Sequence, residues 1–191
     1  MKNFSNAWKV LLAIVLLGAG FWTGRAAQVS QSSPMPPLSQ GGAQPAVPPK
    51  AVDGQGMYWS GDDLKKMYGG ASPIMQQAHL AWTPEYRFTL VKRPHGTPET
   101  AGVEMHEDKT HIYFIISGTG TQILGGTPAK DNVGAEGQHN GVGPITGGTS
   151  YRVKPGDVLL VPPMTWHQTL PDEGQSIVYV MAHIETRHRI P

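Results

Sequence analysis

The sequence predicts an all-β domain with one short helix, and two observations lead to this fold class. Short runs of β-branched and aromatic residues recur from about residue 79 onward, and turns that contain glycine or proline separate them. The chain also has 24 glycines and 17 prolines, which is typical of short strands joined by turns and unusual for a helical protein. About eight such strands indicate a β-sandwich or a closed barrel.

The boundaries of the expected elements follow from the same pattern. Ser60 is expected to cap a short helix that ends at Gly69-Gly70 and covers one end or edge of the barrel. The glycine-rich segment 125–149 has few large apolar residues, so we expect a long loop at the barrel rim. The expected strands are 79–91 (interrupted at Thr83-Pro84), 101–106, 111–117, 119–124, 151–153, 157–161, 166–170 and 175–185.

Composition excludes several classes of protein. The chain has 191 residues, a formal net charge of +1 and no cysteine. Its length suits one folded domain, and the absence of a clustered basic block argues against a nucleic-acid partner. Without cysteine there are no disulfides, thiolate metal sites or cysteine nucleophiles.

The first 27 residues have the layout of an export signal. Lys2 and Lys9 precede an uncharged apolar run from Val10 to Trp22, which is short for a membrane span. Arg25 makes the following small residues a poor cleavage site, so an uncleaved N-terminal membrane anchor is the alternative. Either alternative predicts a periplasmic or extracellular protein that contacts the membrane only through this segment.

Residues 28–56 are expected to form a disordered linker. The segment is rich in Pro, Gln and Ser, and it has almost no large apolar side chains. Burial in such a segment cannot offset the entropy lost on ordering. The folded barrel domain is therefore expected to span residues 57–191.

The candidate functional residues are Glu104, His106, His111 and His167. Glu104 and His106 are two apart on an expected strand and therefore point to the same face. The polar segment 107–110 resembles a turn, after which His111 begins the returning strand, and such a hairpin brings all three side chains together. His167 opens a later strand. Imidazole nitrogen with carboxylate oxygen, and no sulfur, suits one divalent Mn, Fe, Ni, Cu or Zn ion.

At these residues the chain resembles the cupin family. The stretch Glu104-x-His106-x4-His111-x6-Gly118 is similar to the first cupin motif, with the first histidine and the glutamate exchanged. Gly156-x5-Pro162-x-Met164-x2-His167 is similar to the second motif, with Met164 in place of a glycine. The resemblance covers about residues 80–185. It implies a double-stranded β-helix (a cupin, or jelly-roll, barrel) with the metal inside near one mouth, and a homodimer.

The resemblance leaves the reaction open, because cupins include dioxygenases, decarboxylases, isomerases and lyases. The preferred interpretation is a metal-dependent enzyme that acts on a small polar molecule, with Glu104 as a ligand or as a free general base. The alternatives are a non-catalytic metal- or small-ligand-binding module tethered at the membrane, and a structural barrel without metal. An open coordination site is expected of the enzyme, whereas the binding module can have a closed metal shell. Bound metal that is lost on substitution of Glu104 or His106 distinguishes both from the structural barrel.

Other polar residues are weaker candidates. We expect His95 and His139 to be loop residues, and a surface position is the simplest interpretation of Arg87. His183 and Glu185 are two apart on the last expected strand, where a pocket and an exposed face are equally compatible with the pattern.

Overall fold

The computed structural model describes residues 39–40, 50, 54–69 and 76–186, and it confirms the all-β fold class. Antiparallel strands dominate these residues, with one short α-helix and a 3₁₀ turn at Ala135–Gly137. The elements are β1 (Ser39–Gln40), α1 (Gly61–Tyr68), β2 (Gln76–Trp82), β3 (Tyr86–Pro94), β4 (Val103–His106), β5 (Lys109–Ser117), β6 (Gly120–Leu124), β7 (Lys130–Val133), β8 (Gln138–Val142), β9 (Thr149–Val153), β10 (Val158–Val161), β11 (His167–Pro171) and β12 (Ser176–Glu185).

The strands form two six-stranded sheets. Sheet A has the order β1-β2-β3-β12-β5-β10, and sheet B has the order β7-β8-β4-β11-β6-β9. When β1, β2, β7 and β8 are set aside, eight strands remain, four in each sheet. Most steps along the chain among these eight cross from one sheet to the other. Two antiparallel sheets of this strand order form a jelly roll, the architecture that the sequence predicted.

The main apolar core lies between the two sheets. Tyr113 and Ile115 from β5 pack with Tyr179 from β12 in sheet A, and Val153 of β9 joins them from sheet B. Residues two apart on a strand point to the same face, so His111 lies on the same face of β5 as Tyr113 and Ile115. Along β5, the inner face of sheet A therefore carries apolar side chains at Ile115 and Tyr113 and an imidazole at His111.

Helix α1 covers the outer face of sheet A. The Ser60 side chain accepts a hydrogen bond from the Asp63 backbone N–H at 3.1 Å and caps the helix, as predicted. Met67 of α1 packs against Leu80 of β2 and Leu90 of β3 in a second apolar cluster. The helix thus shields β2 and β3 from solvent on the side opposite the main core.

The predicted long loop at 125–149 is wrong. Strands β7 and β8 form a hairpin within it and extend sheet B beside β4, where Val103 pairs with Gly141 and His106 with Gln138. All four side chains of β7 are exposed, so the polar character of Lys130, Asp131 and Asn132 does not oppose the strand. Main-chain hydrogen bonds to a neighbouring strand stabilise such an edge strand. These hydrogen bonds cannot be predicted from a pattern of apolar residues.

The predicted export signal at 1–27 lies outside the described residues, as does most of the predicted linker at 28–56. Within the linker, Ser39 and Gln40 pair with Gln77 and Gln76 of β2, and Lys50 forms a parallel bridge with Trp82. In the described part of the chain, no helix has the length and apolar character that are needed to cross a membrane.

Candidate metal centre

Three of the four predicted ligands meet inside the jelly roll. His106 ends β4 and His167 begins β11 in sheet B, whereas His111 lies on β5 in sheet A. One ring nitrogen from each of the three lies within 4.8 Å of the other two. All three side chains are buried. This group is called the His cluster below.

The strand pairing explains how distant parts of the sequence reach one place. The predicted hairpin is wrong, because β4 belongs to sheet B and β5 to sheet A, and the two strands do not pair with each other. The chain instead crosses between the sheets after His106, and β5 begins at Lys109, two residues earlier than the sequence suggested. In sheet B, Glu104 pairs directly with His167, so their side chains share a face. The two predicted motifs therefore converge through the β4–β11 pairing and through contact across the two sheets.

The ring nitrogens of the His cluster have unused hydrogen-bonding capacity. Both nitrogens of His106, Nε2 of His111 and Nε2 of His167 are buried and have no hydrogen-bond partner among the described residues. Such atoms are rare in folded proteins, because each costs about 1–3 kcal/mol when it is left unpaired. Several of them in one place indicate a missing partner that is common to all.

The tautomer of His167 is fixed by its backbone contact. Its Nδ1–H donates a hydrogen bond to the Thr165 carbonyl oxygen at 3.1 Å. A neutral imidazole that donates from Nδ1 keeps its lone pair on Nε2, and Nε2 is the nitrogen that faces Glu104. A backbone carbonyl in this role is typical of metal-binding histidines.

The environment keeps the His cluster uncharged. Burial, followed by the His167 charge, lowers the pKa of His106 to about 4. Burial, with His183 and His167 nearby, places the pKa of His111 far below its ordinary value, and burial also lowers the pKa of His167. A neutral imidazole has a free lone pair, so the cluster is in the form that binds metal.

The cluster fits a transition metal ion in geometry and in chemistry. Two nitrogens bound to one zinc ion are at most about 4.2 Å apart, which is twice the metal–nitrogen distance. The observed upper limit of 4.8 Å is close to this, so small side-chain rotations bring the three nitrogens into range. Three buried histidines can therefore hold a metal ion, and the nitrogen-rich donor set suits Mn, Fe, Ni, Cu or Zn.

Glu104 lies beside the His cluster between a cation and an imidazole. Its Oε2 is 4.0 Å from His167 Nε2, and its Oε1 is 3.9 Å from Arg93 Nη2. Arg93 is also hydrogen-bonded through Nε to the hydroxyl oxygen of Tyr179 at 3.4 Å. The sequence interpretation missed Arg93, because nothing in the pattern of β3 shows that this residue faces the core.

A fourth imidazole, from His183, borders the cluster. Its ring centroid is 4.3 Å from that of His111 and 6.4 Å from that of His106. Of the two interpretations that the sequence left open, the structure shows the pocket: both ring nitrogens of His183 are buried and without a hydrogen-bond partner among the described residues. Glu185, on the same strand, lies 3.8 Å from Lys109.

Met164 occupies the position of a glycine in the second cupin motif, and its backbone has a conformation typical of glycine. Its φ is +60°, in the left-handed region that glycine adopts most easily. The Met164 N–H donates a hydrogen bond to the His106 carbonyl oxygen at 2.8 Å. The chain thus keeps the turn of the motif, at a strain cost of about 1–2 kcal/mol.

His95 and His139 lie outside the His cluster. His95 is hydrogen-bonded through Nδ1 to the Pro171 carbonyl oxygen at 2.7 Å. His139 is on β8, and its ring lies between two carboxylates: Nδ1 is 2.9 Å from Asp131 Oδ2, and Nε2 is 3.2 Å from Glu107 Oε1. It therefore links the β7–β8 hairpin to the turn that follows His106.

This link predicts a pH-dependent contribution to stability. Hydrogen bonds to Asp131 and Glu107 raise the pKa of His139, because only the imidazolium donates from both nitrogens. The contribution is fully present below the unfolded-state pKa of about 6.5 and is lost as pH rises through the raised folded-state pKa. His139→Gln is therefore expected to be more destabilising at pH 5.5 than at pH 9, as measured by urea unfolding. An equal loss at both values would contradict the link.

Comparisons with known proteins give similarity of structure at low sequence identity. No protein-family model matches the chain, and no curated protein matches it. A structure of KdgF from Halomonas sp. is 21% identical with a TM-score of 0.41, and the match covers 61% of this chain and 85% of that one. A cupin 2 conserved barrel domain protein from Rhodopseudomonas palustris is 20% identical with a TM-score of 0.40, covering 61% and 64%.

A third solved structure is that of a predicted oxalate decarboxylase from Thermotoga maritima. It is 20% identical with a TM-score of 0.40, and the match covers 59% of this chain and 81% of that one. Structural neighbours of the chain are cupin-fold proteins. The jelly-roll assignment itself rests on the strand order of this chain.

Proposed function

We propose that this chain is an exported cupin that holds one divalent transition metal ion and acts as an enzyme on a small polar molecule. One observation supports the metal above all others. Three buried, neutral imidazoles from two sheets point unpartnered nitrogens at one place. Folding an apolar core around such atoms is costly unless a ligand compensates.

His106, His111 and His167 bind the metal in this proposal, and Glu104 is the fourth ligand. The 4.0 Å between Glu104 Oε2 and His167 Nε2 is within the range for two ligands of one ion. Arg93 holds the other carboxylate oxygen and so orients Glu104. The sequence allowed a free general base as well, but a carboxylate fixed from one side by arginine is better suited to binding.

A metal bound by four protein groups leaves one or two positions for a substrate oxygen. When bound, the ion supplies Lewis-acid polarisation of that oxygen. The protein contributes a buried donor set that two sheets hold in place. Export to the periplasm or outside the cell is proposed from the pattern of residues 1–27 alone.

Metal content of the purified full chain tests the proposal. We expect about one equivalent of a transition metal in the natural chain, and almost none in the His106→Ala/His167→Ala double variant. Glu104→Ala is expected to weaken metal affinity at least tenfold, because it removes the only anionic ligand. The matched control is His95→Gln, which changes a histidine outside the cluster and is expected to keep full metal content.

Equal metal content in the natural chain and in the double variant would refute the site. No metal in the natural chain, even after reconstitution with Mn, Fe, Ni, Cu and Zn, would leave a metal-free binding protein. Turnover of a ligand that binds the metal-loaded protein distinguishes an enzyme from a binding module, since the module binds without change to the ligand.

A further inference from the structure

Three polar side chains form a row across the inner face of sheet A. His111 of β5 pairs with His183 of β12, and His183 pairs with Arg87 of β3. Directly paired residues of antiparallel strands share a face, so Arg87 and His183 lie on the same side as the His cluster. Adjacent strands are about 4.8 Å apart, which puts the Arg87 backbone roughly 10 Å from that of His111.

Arg87 brings a charge to this row without an ion-pair partner. Its Nε is buried and makes no hydrogen bond to another described residue, and no carboxylate of these residues forms an ion pair with it. Glu185 lies nearby on β12, but it is held by Lys109 at 3.8 Å. The residue as a whole is half-buried, and even partial burial of a charge without a close partner is costly.

The other inward-facing arginine shows the contrast. Arg93 is paired with Glu104 and bonded to the Tyr179 hydroxyl, so its charge and its donors are used. Arg87 makes no such close contact, although the Glu185 charge acts on it from a greater distance. Its N–H donors are therefore less fully used than those of Arg93.

His183 adds hydrogen-bonding capacity between Arg87 and the His cluster. Its ring lies between the two, with its centroid 4.3 Å from that of His111 and its backbone paired with that of Arg87. A neutral imidazole has one N–H to donate, and both nitrogens of His183 lack a partner among the described residues. The N–H of His183 and the N–H groups of the Arg87 guanidinium thus lie side by side as hydrogen-bond donors.

The charge balance of the interior also favours an anion. Arg93 is paired with Glu104. A divalent metal and Arg87 would therefore leave an excess of positive charge on the inner face of sheet A. An anionic ligand relieves that excess, and it does so most fully when it reaches both the metal and Arg87.

We propose that Arg87 and His183 bind a carboxylate of the substrate, and that the substrate is a short-chain organic anion with a metal-binding oxygen at its other end. This inference rests on the proposed metal site, whose substrate class it names. Arginine suits the role because its planar fork of N–H groups matches a carboxylate.

Succinate and butyrate are matched probes, since butyrate has a methyl group in place of the second carboxylate. Calorimetric titration of the cobalt-loaded full chain is expected to show at least tenfold tighter binding of succinate. This factor corresponds to one charge-assisted hydrogen-bonded contact. A change in the visible absorption of cobalt on titration reports that the other end reaches the metal.

Variants of Arg87 and His183 test whether these residues cause the preference for succinate over butyrate. Arg87→Gln is expected to remove the succinate preference while cobalt content stays unchanged, and Arg87→Lys is expected to keep part of the preference. His183→Gln is expected to reduce the preference severalfold. The matched control is Arg152→Gln, which changes an exposed arginine paired with Asp172 at 2.7 Å and is expected to have no effect. A succinate preference that persists in Arg87→Gln would overturn the inference.

The same titrations without metal separate this inference from the metal site. If the natural chain takes up no cobalt, Arg87-dependent binding of succinate would still support the carboxylate site, and the metal proposal alone would fail. If cobalt binds but succinate and butyrate bind equally, the carboxylate site is wrong and the metal site stands.

Discussion

Metal-free protein with His111→Met is expected to be at least as stable as the natural chain, and the order is expected to reverse when zinc is added. His111 is 1% exposed, and its Nε2 has no hydrogen-bond partner among the described residues. Methionine has a similar volume and adapts well to a core, so the variant removes the unpaired Nε2 without leaving a cavity. The variant also loses the hydrogen bond between His111 Nδ1 and the Tyr113 hydroxyl, but at 3.4 Å this bond is long and weak.

Zinc stabilises only the chain that binds it. At a free zinc concentration of about 1,000 times the dissociation constant, the free energy of unfolding of the natural chain rises by about 4 kcal/mol. The His111→Met variant lacks one of three imidazoles and is expected to gain far less. Urea unfolding at pH 7.5 measures the free energy of unfolding of the natural chain and of the variant, each with chelator and with zinc.

The comparison has a clear contrary result. If His111→Met destabilises the metal-free protein by several kcal/mol and zinc changes neither protein, His111 is a structural core residue. A stability loss in the metal-free variant together with normal zinc stabilisation would place the metal elsewhere. The control is His95→Gln, for which the zinc-induced gain is expected to equal that of the natural chain.

Local patterns in the sequence were sufficient to predict part of the site. Strand alternation placed Glu104 and His106 on one face, because the backbone geometry of a strand determines that relation directly. The capped helix after Ser60 was predictable for the same reason. The expected hairpin to His111 was wrong, because the chain crosses to the other sheet after His106 and local patterns do not show to which sheet a strand belongs.

Relations between strands that are distant in sequence were harder to predict from the sequence. The pairing of Glu104 with His167 joins residues 63 positions apart, and only the resemblance to two cupin motifs connected them. Arg93 and His183 lie on strands whose inward face depends on the pairing of β3 with β12. No local pattern distinguishes an inward arginine from an outward one on a strand that is partly buried on both faces.

The hairpin at residues 130–142 shows a different limit. Glycine, asparagine and aspartate have low strand propensity, and their abundance indicated a loop. The β4 edge supplied hydrogen-bond partners that the local sequence does not show, and the Asp131–His139–Glu107 link fixed the hairpin from one side. Tertiary context thus outweighed propensity in this segment.

Gly118, which closes the first cupin-like motif, is expected to tolerate no side chain. Its φ is +79°, and a Cβ atom there would overlap the Ser176 carbonyl oxygen of the neighbouring strand. The left-handed backbone costs a non-glycine residue about 1–2 kcal/mol, and the overlap adds about 1–3 kcal/mol. Gly118→Ala is therefore expected to lower the free energy of unfolding by about 3 kcal/mol or more.

Gly174→Ala separates the two contributions. Gly174 has a φ of +70°, but nothing lies within 4 Å of a Cβ atom built on it. Its replacement is expected to cost only the backbone contribution of about 1–2 kcal/mol. Thermal and urea unfolding of both variants measure the difference. Equal losses would show that the β5–β6 turn shifts to admit a methyl group. A larger loss in Gly118→Ala would show that the motif requires glycine because strand β12 passes directly over it.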